Sequence, residues 1–262
     1  MDRLIKEKYA SDCSKCFALC CVALPYGKSA DFPCDKPSGV SCHNLNEDYL
    51  CNIHNDLREK GFNGCVTFEC FGAGQHVSQN IFNNISWKNN EIKDEMFTVF
   101  PIVHQINEMI YYLYECKIYS DDIKIIKLVN ELEEIINSEI NKIKKFDITM
   151  MRFKVSNVFT EVSMNYRGNE KSQYMHQDYI GKSLRNKNFR NQSIRGSLFI
   201  ATNLSNADLS NTDCLGTDFR NADLSNANLK GAIFLTQSQI NSAIGNNNTI
   251  IPKHLVRPEH WN

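Results

Sequence analysis

Residues 206–234 read NADLSNTDCLGTDFRNADLSNANLKGAIF. Every fifth position is large and apolar or sulfur-bearing: Leu209, Cys214, Phe219, Leu224, Leu229 and Phe234. The same phase runs upstream through Leu204, Phe199, Ile194, Phe189 and Leu184. Two places before each centre of the clearer half stands a small residue: Thr202, Ala207, Thr212, Thr217, Ala222, Ala227 and Ala232. Neither helix nor strand has a period of five. A fixed repeat of this kind denotes units that stack on their neighbours to complete one core. Centres and small residues are expected to point inward, with polar residues facing solvent.

The run strongly resembles the pentapeptide-repeat family. That resemblance implies a right-handed quadrilateral β-helix over 178–262, four pentads to a coil, with TQSQINSAIGNNNTIIPKHLVRPEHWN as its C-terminal cap. Cys214, at an inward centre, is expected to pack. Some members of the family protect DNA gyrase by imitating duplex DNA with an acidic rod. Here Asp178, Asp208, Asp213, Asp218 and Asp223 face seven bases, Lys182, Arg185, Lys187, Arg190, Arg195, Arg220 and Lys230. The sign is wrong for such a mimic. Arg185, Arg190 and Arg195 recur every five residues, and the expectation for them is a solvated surface.

Upstream, residues 78–177 show helical spacing. Ile102, Ile106, Met109, Ile110 and Leu113 mark a first helix, with Pro101 placed in its first turn and Thr98 near its cap. Ile125, Leu128, Val129, Leu132, Ile135, Ile136, Ile140 and Ile143 mark a second, capped by Asp121 or Asp122. Its Glu131, Glu133, Glu134 and Glu139 alternate with lysines, which reads as a solvated face. A third helix follows Asp147. These make a small helical bundle in which His104 is a core or surface histidine and not a ligand, and Cys116 a buried thiol.

The first 77 residues carry nine of the eleven cysteines. CSKCFALCC places Cys13, Cys16, Cys20 and Cys21 together; Cys34, Cys42, Cys51, Cys65 and Cys70 follow along a turn-rich segment with Pro25, Pro33, Pro37, Gly27 and Gly39. Two cysteines three apart on a turn direct both sulfurs to one point, whereas adjacent Cys20 and Cys21 diverge and suggest either two sites or one site plus a spare or reactive thiol. The N-terminus MDRLIKEKYASDC has no apolar core of a signal peptide, and no apolar run reaches membrane-spanning length. The compartment expected is the cytoplasm, where thiols stay reduced and clustered cysteines read as metal ligands, ahead of disulfides or ordinary thiols. The formal net charge of −1 supplies no basic field for nucleic acid.

CSKCFALCC, CHNL and LCNIHNDLREKGFNGC are together similar to a zinc- or iron-chelating cysteine-cluster family. The match covers 13–70, with one extra residue before the CC pair, His54 where the family often has Tyr, and Val66 after Cys65. One branch of that family is associated with methylating flagellin lysines.

The whole chain is thus expected to be multidomain: a small irregular Cys-rich metal-binding head over 1–77, an α-helical middle over 78–177 and the β-helix over 178–262. The ligand set is Cys13, Cys16, Cys20, Cys21, Cys42, Cys51, Cys65 and Cys70, in a Cys13–Cys21 group and a Cys42–Cys70 group. Spacing does not separate zinc from an iron–sulfur cluster. His43, His54 and His76 stand near enough in sequence to be considered as extra ligands. Three functions compete: a metal- or cluster-binding protein whose β-helix surface docks a protein partner, an iron–sulfur- or thiol-dependent redox or group-transfer enzyme, and a structural zinc head on an interaction module. No Walker loop, GxGxxG, HExxH or GxSxG motif is present.

Overall fold

The computed structural model describes residues 8–168 and 172–261, in two compact units, 1–159 and 160–262. The regular elements of the first unit are helical. They include a 3-10 turn at Cys13–Lys15 and α1, Leu19–Ala23, followed by a 3-10 turn at His54–Asp56 and α2, Asn63–Thr67. Next come α3, Ala73–Gln75, continued by a π turn at His76–Ile81, then α4, Lys93–Tyr119, and α5, Ile123–Ile136. The series ends with α6, Ile140–Lys144, and α7, Ile148–Arg167, whose turns from Thr160 onward belong to the second unit.

α4 is the axis of this unit because its apolar residues recur at three and four. Met96, Val99, Phe100, Val103, Ile106, Ile110, Leu113 and Cys116 are all buried. It packs on α5, which contributes Ile125, Val129, Leu132 and Ile136, and on α6, which contributes Ile143. Each such side chain removed from water is worth roughly 1.5–3 kcal/mol. The cysteine-rich residues lie against the same helix. Asn107 Nδ2 donates to Phe71 O at 2.9 Å, and His104 Nε2 is 2.8 Å from Glu69 O. Trp87 Nε1 donates to Phe17 O at 2.6 Å.

Asp122 caps α5 by accepting from Lys124 N at 2.9 Å. Three helical expectations change. α4 starts at Lys93, so Pro101 lies in its interior, and the Thr98 hydroxyl donates to Asp94 O at 2.8 Å in place of capping. The second helix breaks at Asn137 and restarts at Ile140. Glu133 is not a solvated residue: its Oε1 accepts from Lys8 Nζ at 2.7 Å, Tyr9 O–H at 2.8 Å and Tyr114 O–H at 3.4 Å. Among the described residues no helix is long and apolar enough to cross a membrane.

In the second unit the expected right-handed quadrilateral β-helix is corrected. Among the described residues there is no β-strand anywhere in the chain; the repeat region is a coil of turns held by isolated single-residue parallel bridges. These pair residues twenty apart: Asp178 with Leu198, Ser183 with Asn203, and so on to Asp213 with Ile233. The physical reason is local. From His176 to Gly231 every fifth residue has positive φ, between 52° and 73°, as at Asn186, Asn191, Gly196, Asn206 and Gly216. Left-handed residues at that spacing turn the chain before consecutive extended residues can pair, and Asn and Gly tolerate them best. The strand-based β-helix, the partner-docking surface placed on it and the docking-scaffold function therefore fall together.

The inward pattern itself is present. Phe189, Ile194, Phe199, Leu204, Leu209, Cys214, Phe219, Leu224 and Leu229 are buried, as are Thr202, Ala207, Thr212, Ala222, Ala227 and Ala232. Tyr179 lies 4.9 Å from Phe199 between ring centroids, and Phe199 stacks on Phe219 at 5.7 Å. The buried hydroxyls are satisfied one coil back. Thr202 donates to Tyr179 O at 2.6 Å, Thr212 to Phe189 O at 3.1 Å and Thr217 to Ile194 O at 3.0 Å. Asp and Asn side chains at the bridge positions accept from the N–H two residues on, as Asp208 does from Ser210 and Asp223 from Ser225, both at 2.9 Å. Arg195 is not solvated: it pairs with buried Asp213 at 2.9 Å, and Asp213 Oδ2 also accepts from Ser163 at 2.6 Å. The end is closed by α8, Gln237–Ser242, with a Thr236/Gln239 capping box, and by Trp261, which donates to Ala243 O at 3.0 Å.

Candidate metal centre

All eleven cysteines are free thiols. Cys116 and Cys214 are buried, as their helical and inward positions require. The other nine lie in the first unit on three segments that the fold draws together. Residues 10–16 run beside 69–75: Asp12 N donates to Gln75 Oε1 at 3.1 Å, and Gln75 Nε2 donates to Ala10 O at 2.8 Å. Cys70 N donates to Ser11 Oγ at 3.2 Å, and that oxygen is 3.0 Å from Cys70 Sγ while also bonded to Glu69. A Cβ added at Gly74 would come within 3.2 Å of Cys16 Sγ, so this glycine lets α3 approach the 3-10 turn. On the other side α1 is tied to the 36–42 loop: Cys42 N donates to Cys21 O and Gly39 N to Val22 O, both at 2.9 Å. Antiparallel bridges join Tyr26 to Lys36 and Leu45 to Cys51.

The thiols feel one another in a pattern that cuts across their order in the chain. Cys13 is pushed up to about 11 by partial desolvation, then by the charges of Cys70 and Cys21. Cys16 goes up to about 12 through desolvation and its neighbours Cys13 and Cys70. Cys65 also goes up to about 12, from desolvation followed by Cys21, Cys42 and Cys51. Cys70 thus keeps company with Cys13 and Cys16, and Cys21 with Cys42, Cys51 and Cys65, while Cys21 and Cys51 also act on Cys13. Cys20 and Cys21, expected to diverge, have sulfurs 3.9 Å apart. Hydrogen bonding between them raises Cys20 and lowers Cys21, whose thiolate is favoured further by Lys36. Tyr26 O–H donates to Cys42 Sγ at 3.4 Å.

Among the described residues no three His, Cys, Asp or Glu side chains are gathered closely enough to hold a metal ion. The donor set nevertheless fits a soft metal in kind: every sulfur is free, and mutual repulsion between their charged forms is what a cation would relieve. The histidines take no part in these contacts. His43 and His54 are exposed, and His43 packs its ring against Phe62. His76 Nε2 lies 3.0 Å from Ile136 O, and burial lowers its affinity for a proton. Lys36, unremarkable in the sequence, is buried beside the thiols; its only sequence signal is its place between Cys34 and Cys42.

A model of the family described as "Pentapeptide repeats" matches residues 197–234 in eight copies. The family match is therefore shorter than the 184–234 read from the spacing, and it does not reach the nine N-terminal cysteines. The chain as a whole belongs to the family of "Uncharacterized protein YybG" of Bacillus subtilis (strain 168). It is 49% identical to that protein over 265 residues, covering 96% of this chain and 94% of the relative. Among solved structures, a pentapeptide repeat protein from the Arabidopsis thaliana thylakoid lumen is similar at 27% identity. That match covers 30% of this chain and 61% of the other, less than two thirds of its length, with a TM-score of 0.17.

Proposed function

We propose that the first unit binds a thiolate-held metal, zinc or an iron–sulfur cluster, through Cys13, Cys16, Cys20, Cys21, Cys42, Cys51, Cys65 and Cys70. What supports the reading is the convergence of free thiols from three separated segments, among which Cys13, Cys16 and Cys65 are raised by desolvation and then by neighbouring thiols. A sulfur separation of 3.9 Å at Cys20 and Cys21 is near the edge of a tetrahedron built on Zn–S bonds of about 2.3 Å. Loading would have to draw the remaining sulfurs inward, releasing their protons as thiols become thiolates. The site would also need a reducing compartment such as the cytoplasm.

The test is anaerobic purification of the full chain, followed by metal analysis and a visible spectrum. Stoichiometric zinc in a colourless protein, or iron with sulfur-to-iron charge-transfer absorption, is the expected result. A metal-free protein whose nine N-terminal thiols all alkylate rapidly under native conditions overturns the proposal.

A further inference from the structure

We infer that Lys36, with Tyr26, is the fixed counter-charge of the thiolate site, a pair of positioning residues that set how tightly it holds a metal. The inference rests on the metal reading above. Lys36 is 5% exposed, and its ammonium donates to three backbone carbonyls: Val22 O at 3.1 Å, Pro37 O at 3.2 Å and Val40 O at 3.0 Å. Its three protons are spent, so it cannot swing out to solvent without breaking all three bonds. A buried ammonium ordinarily needs a carboxylate partner. No ion pair to Lys36 occurs among the described residues, and the groups whose charge, once they are thiolates, would act on it are Cys42, Cys21, Cys20 and Cys65.

Tyr26 joins the two halves of the arrangement. Its ring lies 5.5 Å from the Lys36 ammonium, is stacked on Phe32 at 4.2 Å, and its hydroxyl donates to Cys42 Sγ. Both groups would complement negative charge on metal-bound sulfur. Four thiolates on a divalent ion leave a net negative centre, and a cation locked in place with no carboxylate of its own complements that charge without competing for the metal. The carbonyl triad also ties α1 to the loop bearing Cys42, so the ammonium is fixed relative to both of these segments.

The experiment is competition of the full chain against a chelator for Co²⁺ and then Zn²⁺ at one pH, for the wild type, Lys36→Met, Lys36→Arg and Tyr26→Phe. Circular dichroism and denaturant unfolding of each metal-free protein run alongside. Removal of a residue that supports a metal site from outside its ligands weakens binding about 10- to 100-fold. That loss is expected for Lys36→Met, with a smaller loss for Tyr26→Phe, partial recovery in Lys36→Arg, and the cobalt–thiolate absorption retained because the ligands are unchanged. Wild-type affinity in both Lys36→Met and Tyr26→Phe overturns the inference. So does a loss in Lys36→Met that merely tracks lost helicity while Tyr26→Phe binds normally. If the wild type itself takes up neither metal, the metal reading has failed, a result distinct from either of these.

Discussion

Ala201 holds φ at 52° where the equivalent residues of neighbouring pentads are Gly or Asn. A side chain with a Cβ and no polar group pays about 1–2 kcal/mol for that conformation. Ala201 is exposed, so nothing packs on its methyl in compensation. Ala201→Gly is expected to stabilise the protein by about 0.5–1 kcal/mol after the extra freedom glycine gives the unfolded chain is discounted. A denaturant midpoint unchanged or lowered would show that the position is unstrained. The signal was in plain view: Gly181, Asn186, Asn191, Gly196, Asn206, Asn211, Gly216, Asn221, Asn226 and Gly231 keep one five-residue phase, broken only at Ala201. The strands were expected from the family resemblance alone. Read as left-handed positions, these Gly and Asn residues give turns with single-residue bridges. At this scale the inward residues were legible because size and burial go together, while backbone sign was encoded in residues usually dismissed as hydrophilic.

α5 was legible as a helix from its isoleucine spacing and its Asp122 cap, but the role of its polar face was not. Glu133 lies on that face, yet it gathers Lys8, Tyr9 and Tyr114, partners far off in sequence that no periodicity announces. Burial opposes its ionisation, but hydrogen bonds from Lys8, Tyr9 and Tyr114 hold the carboxyl below its ordinary value. A depressed carboxylate adds stability above the unfolded value of about 4.3, and the addition is lost as pH falls through the lower folded value. The denaturant midpoint of the wild type should therefore drop more steeply below about pH 4.3 than that of Glu133→Gln, whose side chain does not titrate. Parallel profiles would remove Glu133 from the account. Pro101 was misplaced for a related reason. Proline suits a first turn, but α4 had already begun at Lys93, where packing against its neighbours outweighs one missing backbone hydrogen bond.

Over the whole molecule, the cysteine count was legible and the grouping was not. Spacing along the chain joined Cys70 to Cys65, whereas the bonds among Ala10, Ser11, Asp12 and Gln75 bring Cys70 to Cys13 and Cys16. Loop closure of that kind leaves no trace in local sequence. It implies that Cys16→Ser, or chelation of the loaded protein, should speed amide exchange through residues 10–76 and leave residues 184–234 protected. Hydrogen-exchange mass spectrometry would show it. Equal loss of protection in both stretches would mean that the two units do not unfold separately.

The twenty-residue bridge spacing acts on the tail as a reading frame acts on a message. Deleting one residue between Asp178 and Ile233 would carry polar residues into the interior of every later coil, while adding or removing twenty would leave the phase intact. Past that point the count drifts: Asp223 pairs with Ile244 and Asn228 with Ile250, twenty-one and twenty-two residues on. That drift serves as the stop signal. It brings α8 and Trp261 over the last coil and spoils the register any further coil would need, so the length of this tail can change only in whole coils inserted ahead of it.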